Sequence, residues 1–204
     1  TSFQSIAKVL SLLRMSNHIS RGRFAKQVQI TANVGRADEY FDVRANQIQS
    51  LQDGDLLTLN LKNESESAID VTVLYVDGEY GITAMYPAEE GDANRIEAGG
   101  SDWLELELYA EASATERLVV IAVEAQPNTM MRDFSFLAQP RLPRTRGNKT
   151  SLYDLFLDAG LSVKVPETTR GAKKSRRHSS QSLMKVFSWK IAPKQNEKNK
   201  GIRG

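Results

Sequence analysis

The chain predicts a mainly β fold: a β-sandwich with an amphipathic helix at its N-terminus and a basic C-terminal extension carrying a short helix and a last strand. Three observations carry this expectation. Apolar and polar residues alternate in several runs, most cleanly in Leu57-Thr58-Leu59-Asn60-Leu61, and a period of two buries one strand face while wetting the other. Turn sequences such as Asp53-Gly54-Asp55, Asp77-Gly78 and Gly99-Gly100 separate these runs at short intervals, as they do in all-β domains. The run Leu118–Val123 is apolar on both faces, which marks a central strand. A sandwich of about seven strands accommodates this pattern.

Taken in order, Phe3, Ile6, Val9, Leu10 and Leu13 recur at helical spacing, so residues 2–16 read as an amphipathic helix that ends at Asn17-His18. A helix this short needs a surface to pack on, and Phe3, Ile6, Leu10 and Leu13 are the candidate partner-binding residues. Residues 27–34, 40–44 and 56–62 read as strands, and 63–67 as a polar loop. Strands at 69–76 and 80–85 pair across Asp77-Gly78, a hairpin signal. Residues 95–97 suit a single bridge. Leu104, Leu106 and Leu108 alternate with Glu105 and Glu107 in a half-exposed strand, and 117–124 is the buried one. Asp133 starts a helical turn over 133–137. Thr150 or Ser151 can cap a helix over 151–159 that closes at Gly160. Residues 183–191 place Phe187, Trp189 and Ile191 on one face and read as a strand that rejoins a sheet, followed by a disordered polar tail. The expected units are a linking helix (1–24), a sandwich (25–140) and a basic extension (141–204).

The net charge of +2 conceals blocks. Residues 1–36 hold six basic and no acidic side chains, residues 37–125 four basic and twenty acidic, and residues 163–204 twelve basic and two acidic. Such a pattern implies an acidic body with basic arms. The C-terminal arm is expected to bind the body, anchored by Phe187 and Trp189, because exposed ion pairs alone contribute at most about 1 kcal/mol each. Nucleic-acid binding through Lys173–Arg177 is the rival, disfavoured by sparse aromatic interleaving. Arg144, Arg146, Arg170, Lys174 and Arg177 lie in extended basic sequence and are candidate processing sites for an Arg/Lys-specific protease.

There is no cysteine, so the chain contains no disulfide, thiolate metal site or cysteine nucleophile. Its two histidines, His18 and His178, are far apart, which argues against a zinc site or a Ser-His-Asp triad. Asp53, Asp55 and Asp77 lack calcium-loop spacing and sit in turn sequences. Glu105 and Glu107 read as a solvated strand face rather than a catalytic acid pair. No phosphate-binding glycine motif occurs. No catalytic, cofactor-binding or metal-binding residue is expected. No apolar run approaches the roughly 20 residues of a membrane helix, and no signal-peptide pattern is present, so the expectation is cytoplasmic. The chain starts in helical sequence without a methionine, which points to a piece of something longer.

Several motifs, in order, carry a family resemblance: Gly54-Asp55-Leu56-Leu57-Thr58-Leu59, Val73-Leu74-Tyr75-Val76-Asp77-Gly78, Ile82-Thr83-Ala84-Met85-Tyr86-Pro87, Asn94-Arg95-Ile96-Glu97-Ala98-Gly99-Gly100, Thr115-Glu116-Arg117-Leu118-Val119-Val120-Ile121-Ala122 and Asp133-Phe134-Ser135. Residues 27–140 resemble the β-domain that follows the peptidase domain in many bacterial caspase-like (metacaspase-type) proteins. The preceding helix and the tail, with its Phe187-Ser188-Trp189 strand, are similar to the same architecture. The resemblance implies a non-catalytic accessory domain that positions the peptidase or recognises a substrate or partner. Caspase chemistry needs a Cys-His dyad, and without cysteine none can be carried over. The alternative is a stand-alone binding protein cut by such a protease to release an effector.

Overall fold

The computed structural model describes residues 2–19, 23–36, 39–88, 92–109, 115–142 and 181–192. The helix expected over 151–159, the candidate processing sites Arg144, Arg146, Arg170, Lys174 and Arg177, and the expected disordered tail lie outside these residues.

Among the described residues, ten strands follow an 18-residue helix, α1 (Ser2–Ile19), and a single helical turn, α2 (Phe24–Gln27). They are β1 (Val28–Arg36), β2 (Glu39–Val43), β3 (Ile48–Gln52), β4 (Leu56–Asn63), β5 (Ile69–Val76), β6 (Ile82–Tyr86), β7 (Arg95–Ile96), β8 (Ser101–Glu107), β9 (Thr115–Glu124) and β10 (Ser182–Ala192). One sheet has the order β2-β1-β4-β8, the other β3-β10-β9-β5-β6 with β7 paired to β5. All pairings are antiparallel except β3 with β10, which is parallel.

The alternation seen in the sequence sets the inter-sheet core. Ile30, Val34, Leu57, Leu59 and Leu61 of the first sheet meet Val71, Val73, Leu118, Val120, Phe187 and Trp189 of the second. Each such side chain contributes about 1.5–3 kcal/mol by leaving water. The open sides are tied by polar bonds. Tyr86 donates its hydroxyl proton to Asp102 at 2.7 Å, joining β6 to β8. Gln49 of β3 accepts from the Arg44 amide at 2.7 Å and donates to the Asp42 carbonyl at 3.3 Å, joining β3 to β2.

The outer face of the six-stranded sheet is a second core. Val9 and Leu12 of α1 pack on Leu74, Val119, Ile121, Met184 and Val186. Residues 129–139 cross the same face as a strap, turning through a 3-10 turn at Ser135–Leu137. The strap is held by polar groups on the outer side of β5. Asp70, 1% exposed, takes a forked pair from Arg95 at 2.8 and 3.1 Å and the Arg132 amide at 2.9 Å. The Thr72 hydroxyl accepts from the Phe134 amide at 3.1 Å, and Asp133 accepts from the Ser135 amide at 2.8 Å. At the far end of β4, the buried Asn63 amide donates to the Ser67, Ile96 and Glu97 carbonyls and accepts from Ser65, tying two turns together.

Several sequence expectations need correction. The described residues hold ten strands rather than the about seven of the expected sandwich. The eight strands and one bridge expected along the chain are joined by β3, for which no strand was expected, an edge strand of five residues of which only Leu51 is buried. Strand β5 has no wet face, since α1 and the strap cover its outer side. The β5–β6 hairpin is not a two-residue Asp-Gly turn. Its loop spans Asp77–Gly81, the Asp77 carboxylate accepts from the Glu79 and Gly81 amides at 2.8 Å, and Tyr80 rather than Gly78 takes the positive φ. Helix α1 runs past Asn17-His18 to Ile19. The last strand rejoins a sheet as expected, and it does so inside: β10 lies between β9 and β3, with Trp189 fully buried and its indole donating to Glu116 at 3.1 Å.

Two stability predictions follow from these bonds. Asp70→Ala removes the anchor of Arg95 and leaves the Arg132 amide unbonded, so the midpoint in urea should fall by the equivalent of about 1–3 kcal/mol. Burial, assisted by bonds to Glu116 and Asp102, holds the Tyr75 and Tyr86 phenols well above their ordinary value of 10.0. The unfolded chain releases these protons near pH 10 while the folded one keeps them, so stability should fall as pH rises from about 10 upward. Urea midpoints taken from pH about 8 to about 11 should show this loss, and Tyr75→Phe should flatten it.

Candidate functional site

The outer face of the four-stranded sheet carries what the inner face cannot. Strand register places Tyr40, Gly35, Leu56 and Glu107 in one row across the sheet, with Asp42, Asn33, Thr58 and Glu105 in the next. Trp103 stands opposite Asn60, farther along β8. Tyr40 is 82% exposed and Trp103 62%. Gly35 makes room for the tyrosine: a Cβ there would meet Tyr40 Cε1 at 3.4 Å, so the ring lies over the glycine. Large aromatics on a water-facing sheet surface are the commonest anchors of protein recognition.

Beside this row is a hollow of about 330 Å³ lined by Tyr40, Leu56, Thr58, Asp53 and Glu105. Arg36 borders it, but its charge is already answered. It forks onto Asp55 at 2.8 and 2.6 Å, and Asp55 also accepts from the Gln52 amide at 2.8 Å. That bond to Asp55 raises the guanidinium pKa above its ordinary value, and the group also lies 5.6 Å from the Phe41 ring centre. With Arg36 neutralised, Asp53, Glu105 and Glu107 leave the face net negative. Tyr109 bonds to Glu107, which lifts the phenol pKa. A lysine or arginine side chain suits such a place, with an aromatic face beneath it and carboxylates beside it.

The residues expected to bind a partner are elsewhere and are split up. The centre of the packed face of α1 is Val9 and Leu12, with Leu13 half-buried beside them. Ile6 is half-buried, while Phe3 is 37% and Leu10 57% exposed. Much of the stripe is thus taken by the chain's own sheet. The sequence carries a signal for the face described above: in Trp103-Leu104-Glu105-Leu106-Glu107 the tryptophan shares the phase of the glutamates, which points it to water.

The described side chains include neither cysteine nor histidine, and no three metal-ligating residues gather among them. No helix among the described residues is long and apolar enough to cross a membrane. In comparisons with known proteins, no family model, no curated protein and no solved structure matches the chain significantly.

Proposed function

We propose that this chain is a non-catalytic protein-binding module that recognises an extended basic segment through the outer face of its four-stranded sheet. In this reading it serves a cytoplasmic caspase-like peptidase as an accessory domain, and the segment belongs to a substrate or to the peptidase. The observation that carries the binding role is the exposure of Tyr40 and Trp103 amid Glu105, Glu107 and Asp53. The association with a caspase-like peptidase rests on the sequence resemblance alone. Phe3 and Leu10, the exposed members of the helix stripe, are the proposed contact to the peptidase. Nucleic acid suits the acidic face poorly, because phosphates would meet carboxylates.

The chain's tryptophan content makes the test direct. There are two tryptophans, and Trp189 is fully buried, so iodide quenching of the folded protein reports on Trp103. A Lys/Arg-rich peptide should protect Trp103 saturably, and an Asp/Glu-rich peptide should not. Tyr40→Ala in this assay, and Trp103→Ala, which removes the reporter, by calorimetry, should weaken binding about tenfold or more, the equivalent of about 1.4 kcal/mol. Equal protection by both peptides, or unchanged affinity in both variants, would remove the reading.

The non-catalytic part has its own test. Purified protein incubated with fluorogenic Arg, Lys and Asp peptides should show no turnover. Turnover that persists through repeated purification and a protease-inhibitor cocktail would overturn it. Co-purification with the peptidase should be lost in Leu10→Asp, an exposed position whose change leaves the core intact.

A further inference from the structure

On the opposite side of the sandwich, α1 and the 129–139 strap do not close completely over the six-stranded sheet. Between them is a groove of about 500 Å³, within the range of small-molecule sites. Ile121 and Met184 form its floor, Leu12 and Met15 one wall, and Phe134 and Phe136 the other. The two phenylalanine rings stand 6.0 Å apart and tilted. Met15 and Phe136 form the lips, 51% and 71% exposed.

Among the described residues, the charged side chains that line this groove are of one sign. Lys8 and Arg132 line it, and no carboxylate does. The Lys8 ammonium donates to the Leu137 carbonyl at 2.9 Å, which fixes it at the rim. The main chain of Arg132 is pinned on both sides: its amide donates to Asp70 at 2.9 Å, and its carbonyl accepts from Asn94 at 2.8 Å. Its side chain is left at the surface. An apolar slot with a cation toward each end of the strap, Arg132 beside Asp70 and Lys8 at Leu137, is complementary to an apolar chain with an anionic head.

We propose that this groove binds a long-chain aliphatic carboxylate, its chain between α1 and the strap and its head at Arg132. Hydrocarbon against Leu12, Ile121, Met184 and Phe134 supplies the affinity, at about 0.8 kcal/mol per buried methylene. Arg132 supplies the choice of head group, and Lys8 keeps the far end of the slot free of negative charge. The site is independent of the acidic face around Trp103.

The test uses the whole chain, labelled with carbon-13 at its methionine methyls, and dodecanoate kept below its micelle concentration. Met15 and Met184 line the groove, whereas Met85 packs against the inter-sheet core. Met15 and Met184 should shift saturably, with one site per chain, while Met85 stays in place. Dodecyltrimethylammonium, equal in chain length and opposite in charge, should bind at least tenfold more weakly. Arg132→Gln should weaken dodecanoate at least tenfold. Ser11→Trp, at an exposed helix position on the groove wall, should block it without touching the core. The proposal fails if no saturable shift occurs, as it would if a protein surface covers the groove instead. It also fails if both amphiphiles bind alike, if Arg132→Gln binds normally, or if Met85 moves with the others, the sign of detergent-like loosening.

Discussion

Strand β9 has no water-facing side, and the architecture answers that constraint. Leu118, Val120 and Ala122 point into the space between the sheets, and Val119, Ile121 and Val123 point the other way. Two layers would leave the second set in water, a cost of about 1.5–3 kcal/mol for each large aliphatic residue. A third layer is therefore required, and α1 and the strap supply it. The strap has only one 3-10 turn to satisfy its own backbone, so it borrows bonds from the sheet. This is why a carboxylate sits in a buried position of β5. Asp70 is tolerated because the strap and Arg95 offer it charge and donors together, as a buried charge demands.

What the sequence made legible follows the same physics. Strands β1, β4, β8, β9 and β10 announce themselves because each buries an alternating or continuous apolar set. The burial of Trp189 was readable from its phase with Phe187 and Ile191. Strand β3 was silent because it is held through backbone pairing to β10 and contributes Leu51 as its buried residue. Asp70 and Thr72 made β5 look half-wet, since partners 62 residues away in sequence leave no local trace. In α1 the apolar stripe is wide enough to allow several orientations, and the sheet beneath selected Val9 and Leu12 over Phe3 and Leu10. At the candidate site, the tryptophan's phase was visible, but the hollow beside it was not. That hollow needs Tyr40 and Gly35 from one hairpin and Asp53 from a turn to converge.

The molecule is chemically two-sided. One outer face is antiparallel sheet with exposed rings and carboxylates, and the other is helix and strap around an apolar slot with a cation toward each end. The interior between them is not wholly apolar: Lys185 sits in phase with Phe187 and Trp189 and donates to the Ile30 carbonyl at 2.7 Å. Burial lowers its pKa, so the lysine stays near the edge where its ammonium can still reach a backbone oxygen.

The interior position of β10 bears on how the chain is made. Its antiparallel neighbour β9 ends at Glu124, and β10 begins at Ser182. On a ribosome adding about 5–20 residues per second, this interval lasts about 3–12 s. During it, β9 has an unpaired apolar edge, β3 has no neighbour, and α1 lacks Met184 and Val186 beneath it. The antiparallel four-stranded sheet can close from sequence already emerged, while its counterpart waits. A nascent chain with an open hydrophobic edge for that long is a natural client for chaperones, and slower translation through the intervening stretch would prolong its exposure to aggregation.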